Sequence, residues 1–209
     1  MNLSSPLFRR RLLAMVLGIV VLAAGIAVFK LSLMGNDPST AFVIAIGDRI
    51  GVDFAFVLLG MNLLWFLAEW RWSRALIGVG TFVNWFLVGP LASLFEKGAR
   101  ALWGLPDALS ARWLMLCVGV LVLSLACALY QTADLGIAPY DALSLTLAGK
   151  TRIRYFWCRI LTDSVCVVAA FALGGIIGAG TLVCALGLGP FIQWFSLHIA
   201  RPLIYGKDG

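Results

Sequence analysis

The stretch Ile177-Gly178-Ala179-Gly180-Thr181, followed by Gly189-Pro190, has an earlier copy in the same chain: Ile77-Gly78-Val79-Gly80-Thr81, followed by Gly89-Pro90. The copies lie 100 residues apart. Working back towards the N-terminus, further matches follow at 101 residues: Arg11, Leu13, Gly18, Val21, Leu22, Ala27, Gly35, Pro38 and Ala41 fall on Arg112, Leu114, Gly119, Val122, Leu123, Ala128, Gly136, Pro139 and Ala142. Single apolar matches arise by chance between any two membrane helices. A fixed order of GxxP, IGxGT and GP at nearly constant spacing does not, and it marks an internal repeat. Repeat 1 covers about 11–100 and repeat 2 about 111–201.

Hydropathy says what the repeats are made of. Of 209 residues, 62% are hydrophobic and 12% charged, and the mean hydropathy is +0.98, far from the roughly half-apolar usage of soluble domains. A helical crossing needs roughly 20 mostly apolar residues, so the chain has room for about six and for no separate soluble domain. Residues 1–209 therefore read as a single all-α membrane domain, with helices predicted near 12–34, 54–71, 76–96, 112–133, 156–173 and 179–200. The last two come from one apolar run, 164–200, that is too long for a single crossing and divides at the glycine-rich segment 174–180. Within each repeat a short apolar segment, 38–46 or 139–148, opens on a proline. Proline is tolerated in a first helical turn, so these read as short re-entrant or interfacial helices.

An odd number of crossings per repeat makes the second repeat enter from the opposite side, so the halves are predicted to be inverted. Full crossings by the short segments would instead make them parallel. With the N-terminus inside, the inner side collects Arg9, Arg10, Arg11, Arg71, Arg74, Lys150, Arg152, Arg154, Arg159, Arg201 and Lys207, against Lys30, Arg49, Lys97, Arg100 and Arg112 outside. That asymmetry places both termini in the cytoplasm. Arg9-Arg10-Arg11 before an apolar run also fits a signal peptide, but the run has a counterpart in the second repeat and reads as the first crossing. Trp70, Trp72, Trp103, Trp113 and Trp157 sit near predicted helix ends, as interfacial indoles do, whereas Trp65, Trp85 and Trp194 are deeper and read as packing residues.

The net charge of +6 resides in short clusters beside apolar runs. It reads as a topology signal, and no nucleic-acid partner is expected. The five cysteines lie in apolar segments without a CxxC pair, and there is one histidine, so neither a disulfide framework nor a metal site is expected. IGxGT lacks the lysine of a phosphate-binding loop and no GxSxG is present, so the chain is expected to have no cofactor and not to be an enzyme.

The strongest local signature is Asp134-Leu135-Gly136-Ile137-Ala138-Pro139-Tyr140-Asp141. Gly136 lets the chain leave one helix, Pro139 starts another, and Asp141 lies in its first turn, where a carboxylate suits the positive dipole end. Two readings are open: a capped turn, or a break that brings Asp134, Asp141 and backbone polar groups to a cavity. Gly35 and Pro38 form the paired break in the first repeat. Arg159 and Asp163 are four apart, share a helix face and reduce the cost of burying each other; Asn62 is the counterpart of Asp163. They read either as a packing ion pair or as a gating pair on a central cavity. Glu69, Lys30 and His198 lie near predicted helix ends, where long side chains snorkel. Asn84 and Gln193 read as hydrogen-bonding between helices.

The segment 133–141, then Arg159 with Asp163, Gly174-Gly175, Gly178-Ala179-Gly180-Thr181 and Gly189-Pro190 together resemble the bacterial YczE/YyaS/YitT-like integral membrane proteins, especially the YczE-like branch. The first repeat departs, with Thr40 where the second has Asp141. The resemblance implies a multi-pass protein of the bacterial plasma membrane and supplies no substrate.

Inverted repeats with a glycine-proline break in each half point to a small-molecule transporter or permease-like protein. Asp134, Gly136, Pro139, Asp141, Arg159, Asp163 and Asn62 are its candidate binding or gating residues; Gly35, Pro38, Gly78, Gly80, Gly178, Gly180, Gly189 and Pro190 are its structural breaks. The acidic break leans towards a cation or basic solute. The competing reading is a non-transporting scaffold for another membrane or biosynthetic system. The expected partners are the lipid bilayer and an unknown small molecule or ion, with a homo-oligomer left open.

Overall fold

A computed structural model describes residues 5–52, 54–175 and 177–206; Lys207 of the inner-side cluster and Ile176 of the glycine-rich segment lie outside them. Every regular element among the described residues is helical. Helix α1 (Pro6–Leu31) opens on Ser5, whose hydroxyl accepts the Phe8 N–H at 3.1 Å, so Arg9 to Arg11 are inside the helix and not before it. There follow α2 (Pro38–Ile50), α3 (Phe54–Trp72), a 3-10 turn (Arg74–Leu76), α4 (Val79–Trp103), α5 (Leu109–Thr132), α6 (Pro139–Lys150), α7 (Tyr155–Ala172) and α8 (Ala179–Phe195). A π-helical turn, Ser196–Ala200, carries α8 into α9 (Arg201–Tyr205).

Five helical runs among the described residues are long and apolar enough to cross a membrane: α1, α4, α5, α7 and the continuous run Ala179–Tyr205. Helix α3, at 19 residues, is the sixth expected crossing and stands outside that group. The outward surface is apolar, with Phe171 73%, Val79 68% and Val168 67% exposed. Such a surface suits lipid and would be a liability in water.

The core is the pair α1 and α5, which run antiparallel. Arg11, near the start of α1, donates from Nε to the Ala133 carbonyl at 2.7 Å, while Phe29, near its end, packs on Gly119. Counterpart positions exchange contacts. Gly18 lies against Tyr130 as Gly119 lies against Phe29; without a side chain at either glycine the two backbones approach closely.

The glycine breaks are exchanged in the same way. The chain turns through left-handed residues at Leu33 (φ 56°) and Gly35 (φ 124°), and again at Asp134 (φ 52°) and Gly136 (φ 121°). The Met34 carbonyl accepts the Gly180 N–H at 2.8 Å, and the Leu135 carbonyl accepts the Gly80 N–H at 2.8 Å. Each break thus docks on the helix start that carries the other repeat's GxGT. A Cβ at Gly178 would strike the Met34 carbonyl oxygen and one at Gly78 the Leu135 carbonyl oxygen. The paired glycines at these helix starts are what permit the exchange.

The short helices are packed within the bundle and are not laid on its surface. Pro139 to Ala142 and Ser144 of α6 are buried, and α2 reaches the end of α7, where Ala45 abuts Gly175 just past the last turn. Helix α6 runs to the end of α3, where the Thr146 and Ser73 hydroxyls bond at 2.7 Å and Lys150 stands 5.8 Å over the Trp72 ring.

One pair of counterparts differs. Gly189 of α8 lies on α7, where an added Cβ would sit 3.0 Å from the Phe156 carbonyl oxygen and 3.3 Å from the Arg159 Cβ; a Cβ added at Gly89 of α4 would meet nothing within 4 Å beyond its own stretch of helix among the described residues. Helices α7 and α8 are in close backbone contact, whereas α3 and α4 touch through rings, Phe66 with Phe82 and Trp85. The space left between α3 and α4 is where the candidate site opens.

Candidate functional site

Pro139 fixes the first turn of α6 and places Tyr140 and Asp141 side by side inside the bundle, 8% and 6% exposed. Asp141 does not cap its helix. The N-cap is Ala138, without a side-chain bond, and the carboxylate is occupied elsewhere. Its Oδ1 pairs with Arg159 Nη1; its Oδ2 accepts from the Tyr130 hydroxyl and, at 3.2 Å, from Gln131 Nε2.

The expected pair of Arg159 and Asp163 is present. Arg159 Nε donates to Asp163 Oδ2 at 3.2 Å, and the Tyr140 hydroxyl donates to Asp163 Oδ1 at 2.5 Å. Asp163 is fully buried and Arg159 nearly so. One guanidinium thus stands between two carboxylates, and all four carboxylate oxygens have a donor. That is the condition under which charge is tolerated away from water. The guanidinium carbon also lies 5.0 Å over the Tyr140 ring, whose other neighbour is Trp65, 4.9 Å between centroids.

Two cavities reach this polar layer. The first, of about 170 Å³, lies between α3 and α4 and is lined by Lys30, Asp37, Asn62, Trp85, Asp141 and Arg159 among others. It contains the end of α1 that bears Lys30, whose Nζ is 3.5 Å from Glu96. Asp37 caps α2 by accepting the Thr40 N–H at 3.0 Å and lines this space. The second cavity, of about 600 Å³, lies by the other end of α1 and is lined by Gln131, Asp134, Tyr155, Gln193, Ser196 and Arg201 among others. The π-helical turn forms part of its wall, a distortion often met at functional sites.

Between the cavities stands a short hydrogen-bonded chain. The Tyr155 hydroxyl donates to Gln131 Oε1 at 3.3 Å, Gln131 donates to Asp141, and Asp141 is held by Arg159. The first pair faces the second cavity and the last pair the first.

Asp141, Arg159, Asp163 and Asn62 are therefore brought to one place. Asp134 is not. Its side chain is 73% exposed and pairs with Arg11 Nη2 at 2.8 Å at the rim of the second cavity, because left-handed backbone at Asp134 turns it outward before Gly136 carries the chain back in. Gly136 and Pro139 shape the backbone and do not line either space. Glu69 does not snorkel; it is 1% exposed, because α3 turns that face inward. Asn84 leaves its Nδ2 without a partner among the described residues, and Trp65 and Trp85, read as packing residues, line the first cavity. Tyr130, Gln131, Tyr140 and Tyr155 were not singled out from the sequence. The signal was there in Tyr130-Gln131 just before the break and Tyr140 just after it, polar tips flanking a point where two helices end.

Among known proteins, the chain is similar to an uncharacterized protein of Haemophilus influenzae, 28% identical over 184 residues, covering 87% of this chain and 81% of that one. It is also similar to two Bacillus subtilis proteins. One is the uncharacterized membrane protein YczE, 25% identical over 86% of this chain and 82% of the relative. The other is the uncharacterized protein YyaS, 26% identical over 90% of both. No solved structure matches. The family of unknown function DUF6198 matches residues 9–197, and this chain, an integral membrane protein by its helices, belongs to that family.

Proposed function

We propose that the chain is a small-molecule transporter of the bacterial plasma membrane, built from two inverted halves and moving its solute without chemical conversion. One observation carries the reading: two cavities by opposite ends of α1 are separated by a polar layer in which Asp141 and Arg159 are buried and Gln131 and Tyr155 half-buried. A site at the junction of repeats, reached in turn from each side, is the arrangement alternating access requires. The antiparallel pairing of α1 with α5 and the exchanged docking of the glycine breaks support the inverted relation of the halves.

The first cavity suits a solute of modest size, since about 150 Å³ is enough to hold a benzene ring. Its walls carry Trp65, Trp85 and Asp37, and its two cations, Lys30 and Arg159, are already paired with Glu96 and with Asp141 and Asp163, which favours a small organic solute bearing a positive group. The test is a thermal-stability screen of purified protein with small amines, amino acids and quaternary ammonium compounds, followed by flux into proteoliposomes. Stabilisation by a cationic class, lost in Asp37→Asn and matched by flux, is the expected result. If no solute class binds or moves, or if a constant partner co-purifies and Asp141→Asn and Arg159→Ala only destabilise, the scaffold reading replaces it.

A further inference from the structure

We infer that Glu69 is a proton-binding site inside the membrane domain and holds its proton in this conformation. Both of its carboxylate oxygens are buried without a hydrogen-bond partner among the described residues. An ionised carboxylate so placed would have lost its hydration with nothing in return, whereas the neutral acid carries a far smaller cost. Position on the helix acts in the same direction. Glu69 lies in the last turn of α3, its own carbonyl accepting the Ser73 N–H at 2.7 Å, at the end where the backbone dipole disfavours an anion.

The charged and titratable groups of the surrounding elements do not relieve it. On α6, Asp141 is held by Arg159, Tyr140 by Asp163, and Lys150 stands over the Trp72 ring. In the turn after α3, Arg74 donates to the Trp70 carbonyl at 2.9 Å. On α4, Glu96 pairs with Lys30 and Arg100, and Lys97 is exposed. Neither Asp48 and Arg49 of α2 nor Arg71 of α3 itself forms an ion pair with Glu69. A hard metal cation would need several oxygen ligands, and among the described residues no group of three or more acidic, histidine or cysteine side chains could hold one. A proton is the ligand that a solitary carboxyl accepts.

The acid is not shared by the two halves: its counterpart 101 residues on is Ala170, fully buried on α7. Glu69 shares a helix face with Trp65 and Asn62, which line the first cavity, and so stands one turn beyond the cavity wall. Displacement of α3 would admit water, the O–H bond would break with its electron pair left on the carboxylate, and the proton would pass to water. Use of that proton to drive a solute rests on the transport reading; the binding of the proton does not.

Infrared spectra of the purified full chain, recorded as wild type minus Glu69→Gln across a pH series, isolate this one carboxyl. The expected difference is a protonated-acid carbonyl band at neutral pH that converts to carboxylate only on alkalinisation. Glu69→Gln should also keep the neutral-pH melting temperature and lose the alkaline fall that wild type shows. If the glutamine variant fails to fold, Glu69→Ala replaces it. A carboxylate band at neutral pH, spectra that superimpose, or an acid band abolished by sodium ions would each overturn the inference. Because no flux is read, a negative result here leaves the transport reading standing. Absent flux with the band present would sink only that reading.

Discussion

Arg159 pairs with both Asp141 and Asp163, so its removal leaves two buried anions without their shared cation. Breaking a buried pair from one side costs about 3–5 kcal/mol. Arg159→Ala is therefore expected to lower the melting temperature of the purified protein far more than Tyr140→Phe, which removes a single donor from Asp163 at about 1–3 kcal/mol. Equal effects of the two substitutions would show that the charge is not what the layer depends on. The contacts within this layer were unequally legible in the sequence. Arg159 and Asp163 were visible because a spacing of four fixes a shared helix face whatever the tertiary structure. The bonds from Tyr130 and Gln131 to Asp141, and from Tyr155 to Gln131, were not, because they join the ends of α5, α6 and α7 across a break whose path no periodicity encodes. Glu69 departs from the expected snorkelling for a related reason: hydropathy places a residue along its helix axis, but its burial depends on which neighbours cover that face.

At the scale of helices, the glycines of the repeat make opposite demands. Gly189 is in close contact with the α7 backbone, and an added methyl must displace it, at about 1–3 kcal/mol. A methyl at its counterpart Gly89 would meet nothing within 4 Å beyond its own stretch of helix among the described residues, so an alanine there should stay within about 0.5 kcal/mol of wild type. Melting temperatures of Gly89→Ala and Gly189→Ala measured side by side test the contrast, and equal losses would mean that α4 is packed as α8 is. Gly78→Ala and Gly178→Ala are expected to be severe in both halves, since the obstructing atom in each case is a carbonyl oxygen of the other repeat's break. Most helices were legible because proline starts them and glycine interrupts them: Pro38 and Pro139 open α2 and α6 where expected. The early start of α1 at Pro6 was not foreseen, as the apolar run begins later and the Ser5 cap lies among polar residues. The π-helical turn also escaped notice. No composition bias marks it, and its first residue, Ser196, shares a hydrogen bond with Thr132 at 2.9 Å that joins residues 64 apart.

For the whole molecule, the difference between Gly89 and Gly189 has a functional meaning if the two halves exchange conformations. Tight α7 and α8 beside separated α3 and α4 would be one of two states, and the other would bring α4 onto α3 through Gly89 while α8 leaves α7. Packed interfaces favour such discrete alternatives over continuous bending. Asn62 lines the cavity between α3 and α4, and Gln193 the cavity by the opposite end of α1. Their exposure should therefore change in opposite senses when the protein switches. Single cysteines at these positions, on a background in which the exposed Cys117 is serine, report this through labelling by a membrane-impermeant thiol reagent in sealed vesicles of each orientation. In the resting protein Asn62→Cys should react from one side only. A transported solute should slow that reaction and quicken that of Gln193→Cys from the other side. A scaffold with fixed cavities would show both rates unchanged or both slowed, since a ligand that merely fills a space protects it without opening another. Gly89→Trp, which would obstruct the approach of α4 to α3, should abolish the reciprocal change while leaving the resting labelling of Asn62→Cys intact; retention of the change would place the moving contact elsewhere than Gly89.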